Sequence, residues 1–330
     1  MTVAEKVRPD ALSFEIEFGS ATATPIQRDS RAGLFLPLPR LAGERAERIF
    51  ESVSAMGEAH GFQLYASGGM LIGCSVEPAA SGMETAAASL YRRLLGAAGG
   101  RFLYRIWNYV PGINRKKNGL ENYRAFNAGR SRVFEQAFGP AYRQLLPAGS
   151  AVGCEGGMLA AVFAAGRTSG RQAENPEQVP AYEYPPEHGP RPPSFCRAVS
   201  VEIERRGFVF VSGTAAIKGH RTVAPGEIGA QIDCTLDNLR LISFAAGVGD
   251  DLGTPGQFAR HFKVYLRDPS DLPLVKQALQ DRLIRPQDRV VWLQAALCRA
   301  DLRIEIETTL VGACNGKVMC GGIQADGGQS

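Results

Sequence analysis

The order of predicted elements occurs twice along the chain. Apolar residues at every second position indicate strands, and apolar residues spaced three and four apart indicate helices. The first half carries strands over 62–76, 102–110 and 158–165 and helices over 83–99 and 123–138. The second half carries strands over 199–217, 261–268, 290–297 and 302–310 and helices over 228–247 and 272–283. This repeat predicts two similar α+β or α/β modules, each a mixed sheet covered by two helices on one face.

A proline-rich passage separates the two halves. Seven prolines stand from Pro176 to Pro193, which excludes a helix or a central strand there. We therefore expect an N-terminal half over 1–165, a linker or surface loop over 166–193 that can also arch over a site, and a C-terminal half over 194–310. The Gly-rich end, 311–330, is predicted to be a flexible tail, so that Cys314 and Cys320 are bystanders.

The strand over 290–297 is apolar on both faces, so its sheet needs cover on both. Helices can cover one face. Packing of the two halves, or of subunits into a closed barrel, would cover the other. The protein is accordingly expected to be a monomer or a homo-trimer.

Composition limits the partners. The chain has 330 residues and 45% of them are hydrophobic, which is enough for a large core. Its net charge of +4 is mild and evenly spread, and it has no Lys/Arg tract and no zinc-finger spacing. We therefore expect no nucleic-acid partner, whereas a small anionic substrate would suit the charge.

The chain also shows no sign of export or of membrane insertion. Its start lacks the apolar core of a signal peptide, and the apolar run over 158–165 is too short to cross a bilayer. The seven cysteines are an odd number without C-x-x-C pairs, which argues against a disulfide framework. We expect a soluble protein of the cytoplasm that does not bind membranes.

The histidines and the glycines offer no cofactor site. The four histidines stand far apart in the sequence and none belongs to an H-x-x-x-H or H-E-x-x-H pattern, so no metal site is expected. The chain has no G-x-S-x-G elbow, dinucleotide fingerprint or Walker loop. An enzyme built on this sequence would work without a cofactor, through acids, arginines and tyrosines.

The last predicted strand carries two acids. Residues two apart in a strand share a face, so Glu305 and Glu307 point one way and Ile304 and Ile306 the other. Such a face is either a solvated sheet face or an active site.

A second group of candidates lies between Arg105 and Arg130, a stretch dense in Asn, Tyr and Arg. Tyr123, Asn127 and Arg130 would share one face of a helix. The alternative is a solvated helix with incidental aromatic residues. Downstream, paired prolines fix an extended segment that delivers Arg197 to the start of a strand, unless Arg197 is a surface residue of a linker.

Two strand ends supply further candidates. The strand that ends with Ser212, Gly213 and Thr214 has small residues that let a ligand approach the backbone, or that form a bulge. Tyr265 and Arg267 share a strand face, where the guanidinium could bind a carboxylate with two hydrogen bonds.

These strings carry a resemblance to a known family. The second half, from SGTAAIKG through KVYLRDPSDLPLVKQAL to LRIEIET, resembles the RidA/YjgF-like fold, whose final strand carries an E-I-E motif. The strings YRIWNYVPGIN, ENYRAFNAGR, GPRPPSFCRA and VVWLQAALCRADLRIEIE resemble the chorismatase family, in one order over 102–309. The resemblance implies two RidA/YjgF-like halves, and an enzyme that cleaves the enolpyruvyl ether of chorismate.

The resemblance marks Glu305, the first acid of E-I-E, as the proton donor. The enol ether breaks when its terminal methylene carbon is protonated, because the resulting oxocarbenium ion is captured by water. A carboxyl group in a partly desolvated pocket can keep its proton near neutral pH. Arg130, Arg197 and Arg267, on separate segments, would hold the two carboxylates of chorismate; which arginine binds which carboxylate is open.

Within the family, Gly in the string matching SGTA and Cys in the string matching LCRADL are typical of the branch that forms hydroxybenzoate. Gly213 and Cys298 stand there, which implies pyruvate and 3-hydroxybenzoate, with or without 4-hydroxybenzoate, as products. Cys298 would guide proton loss, or be an inert buried thiol. Three alternatives remain: a hydrolase that forms a trans-dihydrodiol, a RidA-like imine/enamine deaminase, and a non-catalytic protein that binds small acids.

Overall fold

The structure is a computed structural model that describes residues 12–20, 22–28 and 30–312. The last strand runs through Gly312, and the remainder of the predicted tail, with Cys314 and Cys320, lies outside the described residues. None of the described helices is long and apolar enough to cross a membrane.

The elements alternate between strand-rich and helical stretches. The strands are β1 Leu12–Phe18, β2 Thr24–Arg28, β3 Arg31–Leu36, β4 Arg40–Gly43, β5 Ala46–Ala59, β6 Phe62–Ser67, β7 Met70–Pro78, β8 Phe102–Pro111, β9 Lys116–Lys117, β10 Leu120–Glu121, β11 Ala148–Cys154, β12 Met158–Gly166, β13 Arg171–Ala173, β14 Ala198–Ile203, β15 Arg206–Ala215, β16 Ile217–Lys218, β17 Arg221–Thr222, β18 Phe258–Leu266, β19 Arg289–Gln294 and β20 Ile304–Gly312. The α-helices are α1 Met83–Ala98, α2 Asn122–Phe138, α3 Ile228–Ala245 and α4 Leu272–Arg282.

Two large sheets share one topology. The first has the strand order β11-β8-β12-β7-β6-β5-β1-β3-β2, and the second has the order β13-β14-β15-β20-β18-β19-β4. Five strands of each correspond, because β6-β7-β12-β8-β11 repeats as β14-β15-β20-β18-β19. In both sheets the pair at the end of this series is parallel and its neighbour is antiparallel. Each sheet is mixed and carries two α-helices, so the expectation of two RidA/YjgF-like halves is confirmed.

The strand β11 was not predicted. Its sequence, AGSAVGC, is made of small residues whose apolar alternation is weak, yet all seven are buried. It pairs with β8 in parallel, in the same place that β19 takes beside β18. The repeated topology therefore identifies β11 as a strand, although the alternation of residues along its sequence does not.

The apolar sheet faces pack against each other. Trp107 of β8 meets Phe210 of β15 edge to face, with ring centroids 6.3 Å apart, inside one large cluster of buried residues from both sheets. Helices α1 and α2 close a second cluster, and α3 and α4 a third, on the outer faces. The packing of the two halves within one chain thus covers the apolar faces that the sequence left open.

Residues before Phe62 connect the two sheets. Strand β4 pairs with β19 at the edge of the second sheet, and β5, a few residues later, runs in the first. Gly43 has φ 75° and lies against the carbonyl of Val290, where a side chain would not fit. The N-terminal strands therefore close one side of the interface between the sheets. The domain boundaries stay a prediction.

A bulge in β15 shapes the other side. The register of β15 on β20 shifts between Val211 and Thr214, as the small residues there suggested. Ser212 Oγ donates to the Cys196 carbonyl at 2.6 Å and accepts from the Gly149 N–H at 2.8 Å, so the bulge is tied to both neighbouring segments. Because of the bulge, Gly213 has no partner residue on β20 and lies toward the interior of the protein.

Candidate active site

A cavity of about 730 Å³ opens between the two halves. Its walls come from the loop after β8, the start of α2, the proline-rich passage, the β15 bulge, the β16–β17 hairpin and the loop before β20. The residues that line it are Asn114, Lys116, Glu121, Tyr123, Arg124, Gln178, Tyr184, Glu187, His188, Pro193, Phe195, Arg197, Gly213, Ala215, Ile217, Arg221, Thr222, Cys298, Arg299, Ala300, Asp301 and Glu305. Five of the predicted site residues are in that set: Glu305, Cys298, Tyr123, Arg197 and Gly213.

Glu305 lies in the interior of the second sheet, opposite Ala215 on one side and Tyr265 on the other. Its side chain is 3% exposed, and no hydrogen bond to its carboxyl group is found among the described residues. Burial, followed by the negative charge of Glu307, raises the pKa of Glu305 to about 8. A buried carboxyl group without donors favours the neutral form, so Glu305 carries a proton at neutral pH.

Glu307 shares the strand face of Glu305 but has the opposite environment. Its carboxylate lies 2.5 Å from Lys263 Nζ and accepts from Arg105 at 2.6 Å and from the Tyr265 hydroxyl at 3.1 Å. Burial acts to raise the pKa of Glu307, but Lys263 and Arg105 together lower it below its usual value. Two acids on one face thus hold different protonation states, which is the arrangement that acid catalysis needs.

The partners of Glu307 form a buried network that reaches the N-terminal strands. Lys263 is the cross-strand neighbour of Glu307, and its Nζ also lies 2.5 Å from a carboxylate oxygen of Glu47 in β5. Arg105, from the first sheet, donates to Ser150 Oγ at 3.0 Å as well. The network joins both sheets directly behind Glu305.

Sequence reasoning missed Arg105, Lys263 and Glu47. The available signal was a single charged residue inside each of two apolar strands, RIWNYV and FKVYL, where a charge is costly unless it is paired. That signal indicates that each residue has a charged partner. It does not identify the partner, since Arg105 and Glu307 are 202 positions apart in the sequence.

Arg197 is the most buried of the cationic residues that line the cavity, at 4% exposure. It donates to the Tyr184 hydroxyl at 2.9 Å, and its guanidinium lies over the ring of Phe195, 5.2 Å from the centroid. Its Nε is buried without a hydrogen-bond partner among the described residues, and the nearest acid contact is Glu174 at 3.9 Å. Nη2 makes the hydrogen bond to Tyr184, whereas Nη1 has no hydrogen-bond partner among the described residues and is not among the buried nitrogen atoms, so Nη1 is the donor that Arg197 keeps for a ligand.

The proline-rich passage forms the wall of the cavity above Arg197. The Tyr184 ring lies between the guanidinium groups of Arg197 and Arg299, at 5.9 and 5.5 Å from its centroid. Backbone hydrogen bonds of Val179 and Gly219 attach the passage to the β16–β17 hairpin. The passage arches over the site, as one of the two readings of its sequence proposed.

Cys298 lines the cavity together with Glu305, seven positions later, because the intervening loop turns back at Arg299 and Leu302. Burial and the charge of Glu305 raise the pKa of the Cys298 thiol to about 12. Arg299 acts to lower this pKa, but desolvation outweighs its effect. Cys298 is a neutral thiol at physiological pH.

The other predicted ligands stand behind the cavity wall. Thr214 donates to the Ser212 carbonyl within the bulge, and Tyr265 donates to Glu307. Arg267 donates to the carbonyl groups of Leu302 and Arg299 and to Asn114, so it braces the loop that carries Cys298.

Arg130 is also behind the wall. It is 2% exposed, and its guanidinium lies 5.7 Å from the centroid of the Phe195 ring, which Arg197 also contacts. Two of its nitrogen atoms have no hydrogen-bond partner among the described residues. Its positive charge acts on Tyr123, which lines the cavity. The charge acts to lower the pKa of Tyr123, and burial raises that pKa more strongly.

Two histidines that stand far apart in the sequence meet in space. His188 and His220, 32 positions apart, meet at the rim of the cavity, with Nε2 of the first 3.0 Å from Nδ1 of the second. Glu187 lies within 3.6 Å of both rings. The chain crosses this point twice only because the proline-rich passage folds back on the hairpin.

Comparison with known proteins identifies relatives of this chain. Residues 49–165 match the family model described as chorismatase FkbO/Hyg5-like, N-terminal. A 3-hydroxybenzoate synthase of Streptomyces hygroscopicus is 34% identical over 272 residues, 78% of this chain and 79% of the relative. A chorismatase of Streptomyces rapamycinicus is 38% identical over 223 residues, 65% of each chain.

The fold has a match among solved structures. A chorismatase crystal structure superposes with a TM-score of 0.77 at 29% identity, covering 94% of this chain and 96% of the other. The chain has one module repeated face to face, with the buried acids Glu305 and Glu307 on a strand of the second sheet. With these relatives, the chain belongs to the chorismatase family. The resemblance drawn from its sequence motifs is confirmed.

Proposed function

We propose that this protein is an enzyme that cleaves chorismate to pyruvate and 3-hydroxybenzoate. The relatives bear the names chorismatase and 3-hydroxybenzoate synthase. The observation that carries the proposal is a protonated, buried Glu305 at a cavity whose charge suits a dianion.

The charge of the lining supports a dicarboxylate substrate. Five cationic side chains and four carboxyl groups face the cavity: Lys116, Arg124, Arg197, Arg221 and Arg299, and Glu121, Glu187, Asp301 and Glu305. With the proton on Glu305, the lining carries a net charge of +2, which matches the two carboxylates of chorismate. Half of this net charge comes from Arg197 and half from the less buried residues of the lining, so attraction of the substrate precedes its orientation by the buried Arg197.

The reaction begins with a proton transfer. Glu305 gives its proton to the terminal methylene carbon of the enolpyruvyl group, which forms a C–H bond and leaves an oxocarbenium ion on the ether carbon. The Glu305 carboxylate that results, together with Glu307 behind it, stabilises this cation. Water adds to the ether carbon and gives one proton to the Glu305 carboxylate, which restores the acid and leaves a hemiketal. The hemiketal hydroxyl group then loses its proton while the oxygen attached to the ring gains one, and cleavage of the bond between that oxygen and the ether carbon releases pyruvate.

Aromatisation of the ring distinguishes the products. Addition of water and release of pyruvate alone would leave a dihydrodiol, and loss of one water from it gives hydroxybenzoate, so the overall conversion of chorismate consumes no water. The absence of a side chain at Gly213 leaves room for the Glu305 carboxyl group, and the neutral Cys298 thiol lines the same cavity. We assign Tyr123 and Arg197 to substrate binding, and Arg130, Thr214, Tyr265 and Arg267 to the support of the residues that do so.

Incubation with chorismate tests the proposal. Lactate dehydrogenase reports pyruvate, and chromatography against standards identifies the aromatic product. Pyruvate and 3-hydroxybenzoate in equal amounts are expected. Release of pyruvate with a dihydrodiol alone would contradict the product assignment, and absence of pyruvate would contradict the activity.

We also infer a cytoplasmic location and a monomer or homo-trimer. The five described cysteines are free thiols, which suits a reducing compartment. Light scattering coupled to size exclusion would separate the two states, and a dimer would contradict both.

A further inference from the structure

The cluster of Glu187, His188 and His220 is not used by the proposed reaction. It lies at the rim of the cavity, and two of its members, Glu187 and His188, line the cavity wall. The two imidazole rings are three-quarters or more buried, at 19% and 24% exposure, while Glu187 is 56% exposed. The cluster is therefore held by the fold and still open to ions from solvent.

Three potential ligand atoms form a nearly regular triangle. Nε2 of His188 and Nδ1 of His220 are 3.0 Å apart, and Oε1 of Glu187 lies 3.6 and 3.4 Å from them, respectively. Zinc binds nitrogen and oxygen at about 2.0–2.1 Å in tetrahedral sites, which places neighbouring ligand atoms at about 3.3 Å. The three distances bracket that value.

The cluster is pre-organised by its backbone. His188 ends a short 3-10 turn, Pro186–His188, that begins at the second of two consecutive prolines, and its ring packs against Tyr184 with centroids 5.1 Å apart. Gly219, next to His220, exchanges backbone hydrogen bonds with Glu177 and Val179 of the proline-rich passage. Binding an ion here would order few additional groups.

We propose that Glu187, His188 and His220 bind one divalent transition-metal ion of the zinc type, with the fourth coordination position open to water. Neutral imidazole and carboxylate are ligands that such ions accept, and a His₂Glu set with one open position is a known donor set for zinc. The charges of Arg299 and Arg124 act on His188 and oppose a cation there. The site is therefore weaker than a closed structural zinc centre.

No step of the proposed reaction uses Glu187, His188 or His220. A bound ion would add two positive charges to the wall of the cavity. In the absence of metal, the two nitrogen atoms 3.0 Å apart would form an N–H···N hydrogen bond between the rings. The hydrogen-bonded pair and the metal site therefore differ only in whether a metal ion is bound.

Titration of the full chain with cobalt(II) after removal of metals by chelator tests the proposal. Ligand-field absorption bands in the visible range that saturate at one ion per chain are expected. His188→Ala and His220→Ala should each weaken cobalt binding by at least about tenfold, as loss of one ligand or its support does. His60→Ala is the matched control, since His60 is exposed and lies elsewhere, and it should leave the titration unchanged.

Three outcomes overturn the proposal. These are the absence of bands in the unmodified chain, bands that persist in the His188→Ala/His220→Ala double variant, and a strong sulfur-to-cobalt charge-transfer band that disappears in Cys298→Ala. Circular dichroism checks that the variants fold. If one histidine variant does not fold, the other carries the test, and zinc-induced stabilisation in thermal melts, lost in that variant, is the second readout.

Discussion

The carboxyl group of Glu305 occupies the space that a side chain at Gly213 would need. A Cβ built on Gly213 would overlap Oε1 of Glu305, and it would lie 2.8 Å from Cδ of that residue and 3.2 Å from Cβ of Ser150. The bulge of β15 brings the backbone at Gly213 this close to the Glu305 carboxyl group. The glycine that the resemblance associates with the hydroxybenzoate branch thus makes room, in the structure, for the acid that we propose as the proton donor.

Gly213→Ala should therefore act on catalysis through Glu305. The added methyl group must push the carboxyl group away or shift the bulge, so we expect a fall in kcat of at least about tenfold, since sub-ångström placement of the acid is lost. Steady-state pyruvate release measures it. Gly229→Ala on α3 is the matched control, because nothing lies within 4 Å of the new methyl group there. Equal activity of the two variants would show that the carboxyl position does not matter.

Glu305→Gln should remove turnover and keep binding. The amide fills the same volume but cannot donate a proton to carbon, and a general acid contributes about 10²–10⁴-fold to rate. Pyruvate release measures turnover, and calorimetry with a non-hydrolysable dicarboxylate analogue measures binding. Retention of more than a tenth of the activity would exclude Glu305 as the donor.

The pH profile should report the donor. Glu305 is active in its protonated form, and its pKa is raised to about 8, so kcat/KM should fall as pH rises through about 8. Glu307→Gln removes the anion that helps to raise this pKa, leaves Arg105 without its carboxylate partner and leaves Lys263 with Glu47 as its remaining one. Both changes favour ionised Glu305, so the alkaline limb should move to lower pH. A limb that stays in place would contradict the coupling.

Glu307→Gln should also destabilise the fold. Removal of one partner from a buried ion pair costs on the order of 3–5 kcal/mol, because the other charges stay buried. Thermal melts check it, with Glu202→Gln on the exposed face of β14 as the control.

Arg197→Ala and Arg267→Ala should differ in kind. Arg197 faces the cavity with free donor capacity, so its loss should raise KM by about tenfold or more, the equivalent of one charge-assisted contact of about 1.5–3 kcal/mol. Arg267 braces the loop before β20, so its loss should lower Tm first. Arg240→Ala, on the exposed surface of α3, is the control for both. An unchanged KM in Arg197→Ala would make that residue structural.

Cys298→Ala should keep pyruvate release and lower the yield of 3-hydroxybenzoate, with a dihydrodiol or another isomer in its place. The thiol is neutral, since its pKa is raised to about 12, so it acts by shape and by its S–H donor rather than as a thiolate. Cys298→Ser, which keeps a donor, should stay closer to the original product. Cys234→Ala on α3 is the control. An unchanged product ratio in Cys298→Ala would leave Cys298 an inert thiol.

Much of the fold was predictable because its signals are local. Alternation in 302–310 and helical spacing in 123–138 are properties of one segment, and the observed β20 and α2 follow them closely. The strand β11 was missed because its small residues carry no such signal. For the site, Glu305, Gly213 and Cys298 could be found from the family motifs, and all three line one cavity.

The sequence by itself determined the repeated order of elements, the family and the identity of the buried acid. Only the tertiary structure decided which charges meet. Glu305 and Glu307 look equivalent in an alternating strand, and they differ because Arg105 and Lys263 reach Glu307 from two other strands. The tertiary structure also brought His188 and His220 into contact. It likewise decided that Arg197 faces the cavity and that Arg267 does not. Pairing through space depends on the packing of whole sheets, and periodicity along the chain carries no record of it.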